Sequence, residues 1–392
     1  MKKKKTESFS KFIVAMIFIV ACAAVGAYSG FAAEEYFENN FLLSYVVVIG
    51  ALAAAYLLHI VIHEAGHLVF GRITGYRFKS FRIFNLMWQK GADGKVRFYR
   101  YSLAGTAGQC LMTPPDLRNG DMPYVLYNLG GVLFNILLSA AAMGVSCFVG
   151  RIGGIVCFLV LIVGVSMALL NGLPLPGITN DGSNLVSLSK SSAARRSFWV
   201  QMNGVALLSD GKRVRDFPAE WFVKPNPEQL KNTMESVMAV YVCDRMMDEH
   251  QFDKAQAYMD ELLESDTAIA TVHLHLIRAN ALFCELIGEG RQEKIEKYMD
   301  KDFLKFARSM RTNPSVLRTQ YAYYKLYKRD DKQADNCMSL FEKVSATYPY
   351  PCEIESEREL LEITDNAAKA KASKESADSS DLSQQEISLK KP

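Results

Sequence analysis

The sequence predicts a mainly α-helical protein: a polytopic membrane core of about four transmembrane helices with a small membrane-associated β-hairpin, then a soluble domain of helical hairpins. Three observations carry this reading. Four apolar runs, at about 12–33, 42–70, 124–149 and 155–173, match the roughly 20 residues that a helix needs to cross a bilayer. An aromatic, alternating stretch lies between the second and third runs. From about residue 225 the composition turns polar, with apolar residues at helical spacing.

The first run follows "MKKKKTESFSK" and forms, with the loop after it, a segment of residues 1–41 that is either a membrane anchor or a signal segment. Its apolar stretch is longer than a usual signal core, and "AYS" and "FAA" offer small-residue cleavage sites. Lysines 2–5 belong in the cytoplasm by the positive-inside rule, and the acidic loop "EEYFENN" belongs outside. The second run then travels inward to a connection rich in Arg and Lys, the third travels out to the tight "GRIGG" turn, and the fourth returns to a basic stretch. The predicted protein is therefore a multi-pass protein of the cell membrane, with its N-terminus, unless cleaved, and its C-terminal domain in the cytoplasm.

The core is expected over 42–190. Within it, "FKSFRIFNLMWQKGADGKVRFYRYSLAG" reads as two strands around the "GADG" turn, a hairpin near the inner membrane surface. The glycine-rich "LAGTAGQCLMTPPD" that follows reads as a connector. A basic interfacial linker occupies 191–225. Residues 226–365 form a cytosolic helical domain in which "EHQFDKAQAYMDELLES" and "KRDDKQADNCMSLFEKV" place Ala255 and Ala334 at like positions of tetratricopeptide-like helix pairs. The tail 366–392 has almost no apolar residues and is expected to be disordered.

Composition excludes some functions. A formal net charge of +3, without a basic stripe, gives no basis for nucleic-acid binding. Eight scattered cysteines with no C-x-x-C pair argue against a thiolate metal site and against a disulfide framework.

Chemistry concentrates in "HIVIHEAGHLVF", residues 59–70, where three histidines and a glutamate interrupt an apolar run in which ionisable groups are costly. His63 and His67 stand one helical turn apart and present two imidazoles to one point, the spacing that binds zinc. Glu64 adjoins the first ligand, placed to take a proton from an activated water, as in H-E-x-x-H hydrolases. His59 lies one turn earlier and is read as a packed histidine, with support of the ligands or a place in a substrate cleft as its other readings.

A catalytic zinc usually takes a third protein ligand. The remaining histidines, His250, His273 and His275, all fall in the soluble domain, so a carboxylate near the end of another span is required. Asp181, in "ALLNGLPLPGITNDGSNLV", is the only one there. Pro174 and Pro176 end the fourth helix, and Gly177 and Gly182 free the backbone to fold back toward the histidines. His67 lies about five residues before Arg72, roughly 7–8 Å inside the cytoplasmic boundary, and Asp181 follows a segment of the same inward direction.

"HEAGH" in one span, "GGVLFN" in the next and "NGLPLPGITNDG" after the last together resemble the site-2 protease family of intramembrane zinc metalloproteases. The resemblance covers roughly 42–190. It implies a three-helix core with one zinc held by His63, His67 and Asp181, and with Glu64 as base. It further implies Gly131 and Asn135 as the second-helix pair, and Asn171 and Pro174 as a turn that holds substrate. Two departures stand out: about two extra residues lie between Pro174 and Asp181, and "NDGSN" replaces the usual "LDGG".

For Asn135 and Asn171 the residues allow two roles. Each amide can serve the substrate, by donating to a carbonyl in the transition state or pairing with the extended backbone, or it can bond between helices. The predicted activity is hydrolysis of peptide bonds in or near transmembrane segments of membrane proteins or signal-peptide remnants. The hairpin strand "FRIFNLMWQ" is expected to pair with the unwound substrate. Expected partners are that substrate, the lipid bilayer and a protein on the helical domain. The competing class is a non-catalytic polytopic protein, a transporter or a degenerate protease that binds transmembrane partners. A histidine-cluster oxygenase would want more histidines than the membrane half supplies.

Overall fold

A computed structural model describes residues 2–35, 37, 40–102, 106–175 and 179–389, with side chains from 12 to 373 apart from 29, 32–34 and the gaps between those segments. The chain forms two compact units, Met1–Ala206 and Leu207–Pro392, whose boundary falls inside the expected linker.

The first unit holds α1 (Lys2–Glu35), α2 (Phe41–Ile73), β1 (Arg77–Ile83), β2 (Leu86–Lys90), β3 (Val96–Arg100), β4 (Gly108–Thr113), α3 (Val125–Ser146), α4 (Arg151–Gly172), α5 (Asp181–Lys190) and α6 (Ser192–Ser209). Among the described residues, α2, α3 and α4 are long and apolar enough to cross a membrane, at 33, 22 and 22 residues. The expected fourth span is helical, but its described apolar part, Phe12–Tyr28, is shorter than these three. It packs on α4, with the Tyr28 and Phe158 ring centroids 4.1 Å apart.

The bundle is apolar outside, and a group of polar residues is buried inside it beside apolar clusters. Leu42, Val46, Ile49, Leu137 and Ile152 are exposed, whereas Ser44, His59, His63, Glu64, Asn135 and Ser139 are buried. Exposed apolar side chains suit hydrocarbon, and His59, Asn135 and His63 contact one another across helices. Local signals set the helix ends. Asn40 caps α2, accepting from the Leu43 amide at 3.1 Å, and Gly75, at φ +90°, follows its end. Pro174, lacking an amide proton, follows the last turn of α4.

The hairpin is part of a larger sheet than the sequence suggests. Four antiparallel strands lie in the order β3-β2-β1-β4. "FRIFNLMWQ" is broken by a two-residue turn at Phe84 and Asn85, with Ile83 paired to Leu86 and Phe84 at φ +51°. That turn has neither Gly nor Pro to announce it, and apolar residues flank it on both sides. The "GADG" turn does join two strands, β2 and β3. The presumed connector contributes "GQCLMT" as β4, paired with β1 from Arg77↔Thr113 to Ile83↔Gly108. β1 is thus interior, and β4, next to α2, is an edge.

The second unit is a stack of helices: α7 (Thr233–Asp248), α8 (Phe252–Glu264), α9 (Thr271–Ile287), α10 (Gln292–Tyr298), α11 (Lys301–Ser309), α12 (Pro314–Ala322), α13 (Asp331–Ser345) and α14 (Pro351–Leu389). Its core is built on Cys243, Met259, Leu282, Phe283 and Val316, all essentially inaccessible. Ala255 and Ala334 are both buried at helix contacts, where a larger residue would separate the pair. The tail expected to be disordered instead continues α14 to Leu389. It contains no Gly, and no Pro before residue 392, and it extends a helix whose Ala367 and Ala368 still pack on the core.

Candidate metal centre

Three elements bring His63, His67 and Asp181 together. α2 offers the two imidazoles from successive turns of one face. α3 lies hard against that face because Gly66 and Gly130 meet backbone to backbone. A Cβ on Gly66 would overlap the Gly130 carbonyl, and one on Gly130 would overlap the Gly66 carbonyl. Gly131, one residue on, leaves the space that the His63 ring fills.

Asp181 opens α5, and Asn180 before it fastens that helix in place. The Asn180 amide donates to the Leu170 and Leu173 carbonyls at 2.7 Å each, closing the end of α4, while its Oδ1 accepts from the Ser183 amide at 2.8 Å. Gly182 permits the approach, since any side chain there would strike the Gly172 carbonyl. Pro176 and Gly177, invoked for this fold-back, lie outside the described residues. The sequence reading missed Asn180, although an Asn ahead of a helix-opening Asp-Gly is an N-cap signal.

His63 Nε2 and His67 Nε2 are 3.2 Å apart, and Asp181 Oδ2 is 3.2 Å from the first and 3.5 Å from the second. Ligand atoms 2.0–2.1 Å from a tetrahedral zinc stand about 3.3–3.4 Å apart. The triangle therefore fits three ligands of one such ion. Its chemistry fits as well: His67 Nδ1 donates to the Tyr127 carbonyl at 2.7 Å, leaving the Nε2 lone pair aimed into the triangle. Asp181 Oδ2 is buried without a hydrogen-bond donor among the described residues. Acceptors converging in this way need a cation or a shared proton between them.

A cavity of about 510 Å³ opens beside the triangle, lined by Glu64, Asn171, Asn180 and residues 106–111 among others. The Glu64 side chain lies against Gly108, where any Cβ would collide with it. Buried Arg82 holds this wall of the cavity in place, donating to the Phe84 carbonyl at 2.6 Å and to Thr106 Oγ1. Asn171 donates to the Met167 carbonyl of its own helix at 3.0 Å and faces the cavity. Asn135 does not line it. Fully buried, it lies between two imidazoles, 3.1 Å from His59 Nδ1 and 3.1 Å from His63 Nδ1. Of its two readings, interhelical bonding is the one present, because α2 lies close enough to engage both ends of the amide. The Tyr127 carbonyl and strand β4 were not legible as site components, since neither depends on a distinctive side chain. Compared with protein families, characterised proteins and solved structures, the chain finds no match.

Proposed function

We propose that this chain is a zinc-dependent intramembrane endopeptidase acting on transmembrane segments of membrane proteins or on signal-peptide remnants. The observation that carries the reading is the His63–His67–Asp181 triangle, 3.2–3.5 Å on a side, with Glu64 beside it in a cavity walled by a strand edge. The resemblance of "HEAGH" and "NGLPLPGITNDG" to site-2 proteases points the same way.

When bound, one zinc per chain supplies Lewis-acid polarisation of a peptide carbonyl and makes a water more acidic. Glu64 takes the proton from that water and delivers it to the leaving amine. Glu64 is buried at the wall of a cavity with room for a short extended segment. A peptide bond in a membrane helix is hydrogen-bonded and must first unwind. The free edge of β4 offers main-chain partners to the unwound stretch, a role expected of the "FRIFNLMWQ" strand, whose first part is enclosed as β1 between β2 and β4. Asn171, whose Nδ2 is engaged within its own helix, keeps its amide oxygen for a substrate N–H in the same cavity.

Arg- and Lys-rich loops put this end of the bundle at the cytoplasmic face of the cell membrane, with α1 as a fourth, N-terminal span or signal segment. The second unit is then a cytosolic, tetratricopeptide-like surface that recruits a protein partner. The test has two parts. Detergent-purified protein should carry one zinc that is lost in His63→Ala. Membrane proteomes of cells with Glu64→Gln should accumulate an uncleaved species absent with the wild type. A folded, metal-free protein with indistinguishable proteomes would instead mark a non-catalytic membrane protein.

A further inference from the structure

His59 is fully buried one turn before His63, and both its ring nitrogens are engaged. Nε2 lies 2.9 Å from the Val160 carbonyl on α4, and Nδ1 lies 3.1 Å from the amide of Asn135 on α3, whose oxygen is drawn on that side. The other end of that amide is 3.1 Å from His63 Nδ1. Gly164 makes the first contact possible, because a Cβ there would overlap both the His59 ring and Ser139 Oγ. We propose that His59 is a positioning residue that, through Asn135, sets the tautomer of His63 and so frees His63 Nε2 to bind the metal. This rests on the metal-centre reading above and extends it to the one histidine of "HIVIHEAGHLVF" that the chemistry leaves unused.

The Val160 carbonyl can only accept, so His59 Nε2 carries a hydrogen. The groups facing the ring, Asn135, Ser139, Val160 and Gly164, are uncharged. A second proton would therefore leave an uncompensated charge inside the span. With one proton, His59 Nδ1 is an acceptor, and the Asn135 NH2 must face it. The Asn135 oxygen then faces His63, whose Nδ1 must donate. His63 Nε2 is left with a lone pair, 3.2 Å from Asp181 Oδ2.

The structure draws the amide the other way round, with Oδ1 toward His59 Nδ1 and Nδ2 toward His63 Nδ1, and that placement would demand two protons on His59 and put the His63 proton on Nε2, where the metal belongs. The two arrangements differ by a half-turn of the amide, and since both contacts are 3.1 Å the turn moves no other atom. On His63 no proton is gained or lost; the relay only decides which nitrogen carries it. His67 reaches the same state by a shorter route, through the Tyr127 carbonyl. Each ligand is thus referred to a backbone carbonyl, one directly and one through Asn135 and His59.

The test uses the full chain in micelles, with 15N-labelled histidine. In metal-stripped wild type, His59 should appear as the Nε2–H tautomer and His63 as the Nδ1–H tautomer. His63 found with its proton on Nε2 would overturn the relay. Zinc titration supplies the second readout. His59→Phe should bind zinc about 10–100-fold more weakly, the range for losing an outer partner of a ligand. His59→Gln, which keeps an acceptor oxygen and a donor amide, should recover most of that loss. Zinc binding by His59→Phe equal to the wild type would also overturn it. Should His59→Phe not fold, the wild-type spectrum and the Gln variant decide. A wild-type chain that binds no zinc would sink the protease reading, while the spectrum would still judge the relay.

Discussion

Asp181 Oδ2 approaches His63 Nε2 to 3.2 Å, closer than two acceptors tolerate without a cation or proton between them. The carboxylate comes from the start of α5 and the imidazole from the middle of α2. The contact exists because α5 is fastened to the end of α4 by Asn180. Asp181→Asn keeps the shape and removes the charge. Its zinc affinity should fall by more than the roughly 10–100-fold typical of outer-shell changes, read by titration with a competing chelator.

Glu64→Gln separates metal binding from chemistry. Zinc content should match the wild type, because Glu64 is outside the triangle, while substrate cleavage falls on the order of 100- to 10,000-fold with the loss of the base. Metal analysis and a cleavage assay on the same preparation check both halves. Loss of zinc together with activity would make Glu64 a ligand instead.

Two glycines should fail differently. Gly66→Ala sets a methyl against the Gly130 carbonyl, which cannot turn aside, so α2 and α3 must part. The cost is about 1–3 kcal/mol of stability, read as an earlier unfolding transition in detergent. Gly131→Ala sets its methyl against the His63 ring. It should weaken zinc binding while affecting the unfolding transition less.

The helical unit should be most stable near pH 4. Burial, reinforced by Glu353, pushes the Asp244 carboxyl up to about 7, and burial also takes Glu353 to about 7. These folded-state values exceed the unfolded ones. The stability they allow is therefore complete below about pH 4 and is lost as pH rises through 7. Asp248 and Glu359 behave oppositely. Against the cost of burial, hydrogen bonds from Arg213, Ser356 and Arg215 hold Asp248 at about 2, and those from Arg213 and Arg215 hold Glu359 at about 2. Their contribution is present above the unfolded values and fades as pH falls toward 2. Hydrogen exchange of α9 in the full chain, followed from pH 3 to 8, should pass through this maximum. Asp244→Asn should flatten the neutral side.

The H-E-x-x-H pair was legible because its geometry is local: four residues make one helical turn wherever the helix sits. The three long apolar helices were legible because bilayer thickness sets their length. Asp181 was legible as the only carboxylate in the stretch that follows the fourth run. β4 was hidden because Gly, Gln and Cys carry little strand signal, and pairing with β1 supplies what propensity does not. The turn at Phe84 and Asn85 was hidden because it has neither Gly nor Pro and sits within an apolar, aromatic stretch.

By itself, the sequence determined the helical membrane class, the two imidazoles on one face with their adjacent carboxylate, and the candidate third ligand. These follow from periodicity, hydropathy and side-chain chemistry, which act over a few residues. Only the tertiary structure decided that β4 rather than β1 borders the cavity, that Asn180 holds Asp181 in position, and that His59 joins His63 through Asn135. Those relations depend on which backbone carbonyls and glycine surfaces meet when α2, α3 and α4 pack, and no spacing along the chain encodes such a meeting.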